Sequence, residues 1–125
     1  MVDFKNKSLI KLKAIDKKTG EKIVEDLLIE KEYVIAAFSS MRDKLVFTDK
    51  RVISVNAQGL TGKKVDYTSI PYSKIQAYSV ETAGMFDLDA EIDITVSGLG
   101  TVRFELSSTS DIKSICQKIS EKVLN

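Results

Sequence analysis

Between residues 33 and 106 the apolar residues come in short runs separated by turn formers. This spacing predicts small antiparallel β structure. The runs are Tyr33–Phe38, Leu45–Thr48, Arg51–Asn56, Lys63–Ser69, Ile75–Glu81, Ala90–Ser97 and Thr101–Leu106. Two alternate cleanly: Ile92, Ile94 and Val96 point one way, and Val102, Phe104 and Leu106 do the same on the next run. Thr48-Asp49-Lys50 and Gly98-Leu99-Gly100 read as tight turns, and Gln58–Gly62 brings two glycines free to take positive φ. Pro71 ends the fourth run, because proline has no amide to give a ladder. Seven consecutive strands make a meander. The period then changes: Ile112, Ile115, Cys116, Ile119 and Val123 recur at three and four, the stripe of one amphipathic helix, with Ser108 or Ser110 as its cap. A single helix after seven antiparallel strands predicts a bent sheet whose open end the helix plugs, since both apolar surfaces must leave water.

Ahead of the strands the pattern is less regular. Met1–Lys18 carries six lysines against Asp3 and Asp16. Leu9, Leu12 and Ile15 approach helical spacing, while Ile10-Lys11-Leu12-Lys13 alternates like a strand, and we read the segment as a short helix. Thr19–Glu30 reads as a second helix, with Thr19 as cap, an apolar stripe through Ile23 and Leu27, and Glu21, Glu25 and Asp26 toward its front. The expected organisation is a helical extension over 1–32 and one domain over 33–125.

Composition narrows the function classes. A chain of 125 residues with 43% apolar and 30% charged residues is ordinary for one soluble domain with a single core. A net charge of +1 gives no global field for nucleic acid. The one cysteine permits no internal disulfide, and no apolar run approaches the ~20 residues of a membrane span. Lysines at positions 5, 7, 11 and 13 interrupt anything like a signal peptide, so the expected location is cytoplasmic.

Histidine is absent, which removes Ser-His-Asp and Cys-His catalysis and the commonest metal ligand. Cys116 sits on the apolar stripe of the last helix and reads as core. Asp87, Asp89, Glu91 and Asp93 recur at period two, but Ile92 and Gly98 stand where a calcium loop needs glycine and glutamate, so they read as a solvated face or one that meets a basic neighbour. Gly59-Leu60-Thr61-Gly62-Lys63 has its glycines too close for a phosphate loop. No catalytic, cofactor-binding or metal-binding residue is expected. Arg42, Lys44, Lys63 and Lys64 are the candidates for an anion contact. Glu81 to Asp93 carries five acids and no base, opposite in sign to Lys50-Arg51 and Lys63-Lys64, and unlike patches of this kind permit head-to-tail contacts that close into a ring. Met85, Phe86, Asp87, Leu88 and Asp89 are the candidate oligomer interface.

Several motifs occur in order: Arg42-Asp43, Val46-Phe47-Thr48-Asp49-Lys50-Arg51, Gly59-Leu60-Thr61-Gly62-Lys63-Lys64, Ser69-Ile70-Pro71-Tyr72, Glu81-Thr82-Ala83-Gly84 and Phe86–Glu91. Together they resemble the bacterial pleckstrin-homology (PH) domain family over residues 33–124. The resemblance implies a mainly β (α+β) PH-like barrel of seven antiparallel strands in two bent sheets, capped by a C-terminal α-helix. It also implies a noncatalytic domain that assembles into homo-oligomeric rings. Relatives in the fold bind phosphoinositides through a basic first hairpin loop, whereas the matching Ser39–Lys44 is short and sets Asp43 between Arg42 and Lys44. The expected function is therefore a binding and assembly module without cofactor or nucleic acid, partnered by its own copies or other proteins. The alternative is an anionic-ligand or membrane-surface module using the basic N-terminus and strand ends.

Overall fold

A computed structural model of the chain describes residues 9–58, 63–82, 89–107 and 111–125. Among these, eight strands form one hydrogen-bonded sheet: β1 (Leu9–Ile15), β2 (Val34–Ser39), β3 (Asp43–Thr48), β4 (Arg51–Gln58), β5 (Lys64–Pro71), β6 (Ile75–Thr82), β7 (Ala90–Val96) and β8 (Gly100–Ser107). Helix α1 (Lys17–Val24) follows β1, and helix α2 (Ile112–Val123) ends the chain. The order across the sheet is β5-β4-β3-β2-β1-β8-β7-β6. Strands β5 and β6 follow one another in sequence, joined by a single turn at Tyr72–Lys74, yet lie at opposite edges. The sheet therefore curls until its two ends stand near each other.

The curled mainly-β sheet with its C-terminal helix agrees with the sequence pattern, but its first strand does not. Leu9–Ile15 is expected as helix within an extension over 1–32; instead it is β1, inside the sheet. It runs antiparallel to β2 and parallel to β8, and so joins what would otherwise be two separate sheets. Among the described residues the strands number eight rather than seven, and the β1–β8 pairing is parallel. Local spacing could not settle the matter, because Leu12 satisfies both periods. Pairing on both sides decides it: Leu12 is buried in the main core while Lys13 stays exposed. The second expected helix is also shorter than the pattern suggests, ending at Val24, so that Leu27 and Ile29 are left exposed.

Two cores result. The concave face holds the larger one, where Phe38, Phe47 and Phe104 meet edge to face and Ile92, Ile94, Val102 and Leu106 pack around them. The α2 stripe completes it with Ile112, Ile115, Cys116 and Ile119, as the periodicity predicts. Tyr78 on β6 ties the helix down through its hydroxyl, which hydrogen-bonds Ser120 and the Cys116 carbonyl. The smaller core lies on the convex face, where α1 covers Ala37, Val46, Ile53 and Val55 with Val24. This explains why β2, β3 and β4 read as continuous apolar runs rather than alternating ones: both of their faces are covered.

Close approach of α1 depends on Gly20. A Cβ there would stand 2.4 Å from the Ala37 Cβ, inside any possible contact distance. The glycine that weakens the helix by propensity is the one that lets it seat.

Candidate functional site

The chain offers two polar surfaces at opposite ends of the sheet. The first lies where β3 begins, β4 ends and β5 begins. Ser40 and Asp43 close the β2–β3 hairpin, the Ser40 amide donating to the Asp43 carbonyl at 2.8 Å, which puts Met41 and Arg42 at its tip. Arg42 is exposed, and its guanidinium donates to the Ala57 carbonyl at 3.4 Å. Lys44 stands opposite Val55, and Lys64 opposite Gln58. Pairing thus brings Arg42, Lys44, Lys63 and Lys64, the four expected anion contacts, to one end of three neighbouring strands, with Lys44 on the convex side and Lys64, which alternates with Val65, on the concave side.

The concave side of the same strands carries a polar rung that sequence reading missed. Asp43, Asn56 and Asp66 are directly opposite one another across β3, β4 and β5. The buried Asn56 amide donates to the Asp43 carboxylate at 2.6 Å and accepts from Ser54 at 3.0 Å, while Thr68 donates to Asp66 at 2.7 Å. Asp43 is therefore engaged inside the barrel rather than simply breaking up a basic loop. Nothing in the local pattern marks Asn56, because its partners lie on other strands.

On the convex side of β5, Val65 is 46% and Tyr67 47% exposed. They share that side with Ser69 at alternate positions, while Thr68 and Ile70 turn inward and are buried. The sequence puts Val65 and Tyr67 on one face of this strand; the structure shows that the face is the outer one, near the edge of the sheet.

The second surface is acidic and belongs to β6, β7 and β8. Glu81 is the register partner of Glu91, and Glu91 of Glu105, so three carboxylates stand in one row on the convex face. Arg103 sits two residues along β8 and is committed to the next row, where its guanidinium grips Asp93 at 2.9 and 3.1 Å and reaches Glu91 only at 3.7 Å. These bonds hold the Asp93 carboxyl below the usual carboxylate range. A groove of about 710 Å³ runs beside the row, lined by Lys13, Glu81, Asp89, Glu91 and Glu105 among others. Asp89 of the expected interface is thus placed beside the acidic row, while Met85, Phe86, Asp87 and Leu88 lie outside the described residues. Among the described residues no three side chains converge as metal ligands.

Cys116 is buried against α2's neighbours, and burial pushes its thiol up from the ordinary value, away from the reactive thiolate.

Comparison with known proteins bears directly on this architecture. A family profile described as Bacterial PH domain matches residues 3–123. The chain belongs to the bacterial PH domain family. This match takes in β1 as well as the seven strands that follow. Two solved structures agree. A DUF1696 family protein with a pleckstrin-homology domain from Shewanella loihica PV-4 is 34% identical with a TM-score of 0.71, and the match covers 91% of this chain and 98% of that one. A pleckstrin homology domain from Shewanella amazonensis SB2B is 37% identical with a TM-score of 0.58, covering 96% and 94%. Among sequences, the Bacillus subtilis (strain 168) protein YjqA, itself named as uncharacterized, is 58% identical over 72 residues. That match spans 58% of this chain and 58% of YjqA. The bacterial PH domain described here therefore shares its fold with both Shewanella proteins.

Proposed function

We propose that this bacterial PH domain is a noncatalytic binding and assembly module that forms homo-oligomers, closed into rings through contacts between PH domains. The observation that carries the reading is the pair of edges. Strands β5 and β6 end the sheet, and β5 turns Val65 and Tyr67 outward beside its edge. An edge strand with exposed apolar side chains is a surface that proteins normally cover, and a second copy covers it without a further gene product. The absence of histidine and the burial of Cys116 remove the usual nucleophile and base, which favours binding over chemistry. Multi-angle light scattering over a concentration series tests the reading. A mass that is a defined multiple of 13.9 kDa supports it, and a 13.9 kDa monomer at high concentration overturns it.

A second reading rests on the gathering of Arg42, Lys44, Lys63 and Lys64 at one sheet end, which suits an anionic ligand or membrane surface. Flotation with vesicles containing phosphatidylserine tests it, with inorganic phosphate as the soluble competitor. Salt-sensitive binding lost in Lys63→Glu/Lys64→Glu supports it, and no binding at low salt removes it.

A further inference from the structure

We infer that the groove between α2 and the start of β2 is a binding site for a phosphate group, carried by a small molecule or by a phosphorylated side chain. The site lies at the other end of β2 from the Arg42 hairpin and stands apart from the homo-oligomer reading.

Helix α2 has two stripes with different tasks. Ile112, Ile115, Cys116 and Ile119 serve the core. Ser114, Gln117, Lys118 and Glu121 recur at three and four on another side, so they form one wall of a groove of about 380 Å³. Tyr33 from the entry to β2 and Lys17, the first residue of α1, stand on the other wall, above an apolar floor of Val34 and Ile35. Sites for small ligands run from about 300 Å³ upward.

The polar groups that meet here are mostly donors. Lys17 and Lys118 bring two cations from different elements to one cavity. Each has a carboxylate nearby, but neither is gripped: Lys17 reaches Asp111 at 3.9 Å, and Lys118 reaches Glu121 at 3.5 Å. Close ion pairs are much shorter than this. The Lys118 ammonium also stands 6.0 Å from the centre of the Tyr33 ring. Its hydrogen bond with the Tyr33 phenol, and then the Glu121 charge, raise its pKa above the ordinary value. An ammonium has three N–H donors, more than these partners use. Ser114 and Gln117 add a hydroxyl and an amide, and the Tyr33 ring is 50% exposed.

A phosphate dianion suits this set. Its several oxygens accept from two ammoniums and from neutral O–H and N–H donors at once, and the charged contacts are the strong ones. A cation would find only Glu121 among the described lining residues, already beside Lys118. Glu121 opposes an anion, so its neutralisation should tighten binding.

Titration of the isotope-labelled full chain with inorganic phosphate, followed by amide NMR at constant ionic strength, tests the site. Saturable shifts are expected at Tyr33, Ser114 and Gln117. Lys118→Ala should weaken binding about tenfold, the worth of one hydrogen bond to a charged group. Glu121→Gln should tighten it about threefold, the scale of an exposed charge contact. Lys17→Gln, on the other wall, should also weaken it, and decides the matter if Lys118→Ala disturbs α2. Ribose 5-phosphate and a phosphoserine tripeptide identify the carrier: the one that outbinds inorganic phosphate names the source, and equal binding by all three means that the anion alone is recognised. The site is overturned if the groove amides do not shift, if the shifts fall at Arg42, Lys44, Lys63 and Lys64 instead, or if both lysine variants bind as the wild type does.

Discussion

The Glu32 carboxylate and the Arg51 guanidinium meet in a two-point pair, Nε to Oε2 at 2.9 Å and Nη2 to Oε1 at 3.0 Å. Glu32 lies near the end of the connection from α1 to β2, and Arg51 opens β4. The pair is satisfied on all sides. Thr48 donates to the carboxylate at 2.7 Å and the Ile29 amide at 3.1 Å, while Arg51 also donates to the Leu27 carbonyl at 2.6 Å and to Ser69 at 3.1 Å. One guanidinium thus ties the connection that follows α1 to the β4–β5 edge of the sheet. The chain bends sharply beside it, with Lys31 at a φ of 69°.

Truncating one member should cost more than a surface ion pair would. The Glu32 side chain is 1% exposed and Arg51 20%, so Arg51→Ala leaves a buried carboxylate without its cation. The expected loss is about 3 kcal/mol, the lower end for broken buried pairs because Arg51 is partly wet. Urea denaturation followed by circular dichroism measures it. Arg51→Lys should recover only part of the loss, since an ammonium cannot make the two-point contact. A loss below about 0.5 kcal/mol in Arg51→Ala would place the pair among ordinary surface contacts.

The same pair makes stability fall in acid. Burial raises the Glu32 pKa, but hydrogen bonds from Arg51, Thr48 and the Ile29 amide together with the Arg51 charge outweigh it, and the net shift is downward. Asp93 is also lowered, chiefly by Arg103. A carboxyl with a folded pKa below its unfolded value contributes stability that is present above the unfolded value, near 4. That contribution is lost as pH falls through the folded value. The urea midpoint should therefore be level on this account at neutral pH and decline below about pH 4. Glu32→Gln should flatten the decline, and an unchanged slope in that variant would show that other groups govern it.

Gly20→Ala sets helix propensity against packing. Alanine gains up to about 1 kcal/mol in a helix interior. The new methyl would overlap Ala37 at 2.4 Å, and overpacking costs about 1–3 kcal/mol. A net loss is expected, with partial recovery in Gly20→Ala/Ala37→Gly, where the opposing methyl is gone. Thermal denaturation of the three proteins checks this. A more stable Gly20→Ala would mean that α1 lifts from β2 at little cost.

Ile115→Ala tests the plug. Ile115 is fully buried between α2 and the concave face, and removal of such a side chain costs about 2–5 kcal/mol. Exposed Lys113 on the same helix should tolerate alanine within about 0.5 kcal/mol. Equal effects at the two positions would mean that α2 does not seat on the barrel.

Much of this architecture is legible before folding is considered. Ile92, Ile94 and Val102 to Leu106 alternate because β7 and β8 have one wet face, and the stripe from Ile112 to Ile119 repeats because α2 has one dry side. Where a segment meets neighbours on both sides the signal fades. Leu9–Ile15 fits helix and strand alike, and only β2 and β8 choose between them. The candidate surfaces divide in the same way. Clustering of Lys63 with Lys64 is visible in the chain, but the row of Glu81, Glu91 and Glu105 is not, since 10 and 14 residues separate neighbours that register makes adjacent.

By itself the sequence determined the strand runs, the closing helix and the family likeness, because these depend on periodicity and on turns that short stretches encode. Tertiary structure decided that β1 is a strand joining the two halves of the sheet, that α1 rests on Gly20, that Arg51 answers Glu32, and that three glutamates share a row. Each of these joins residues far apart in the chain. Such pairs are chosen by burial, charge and register only once the sheet has curled, and no local pattern of the polypeptide specifies them.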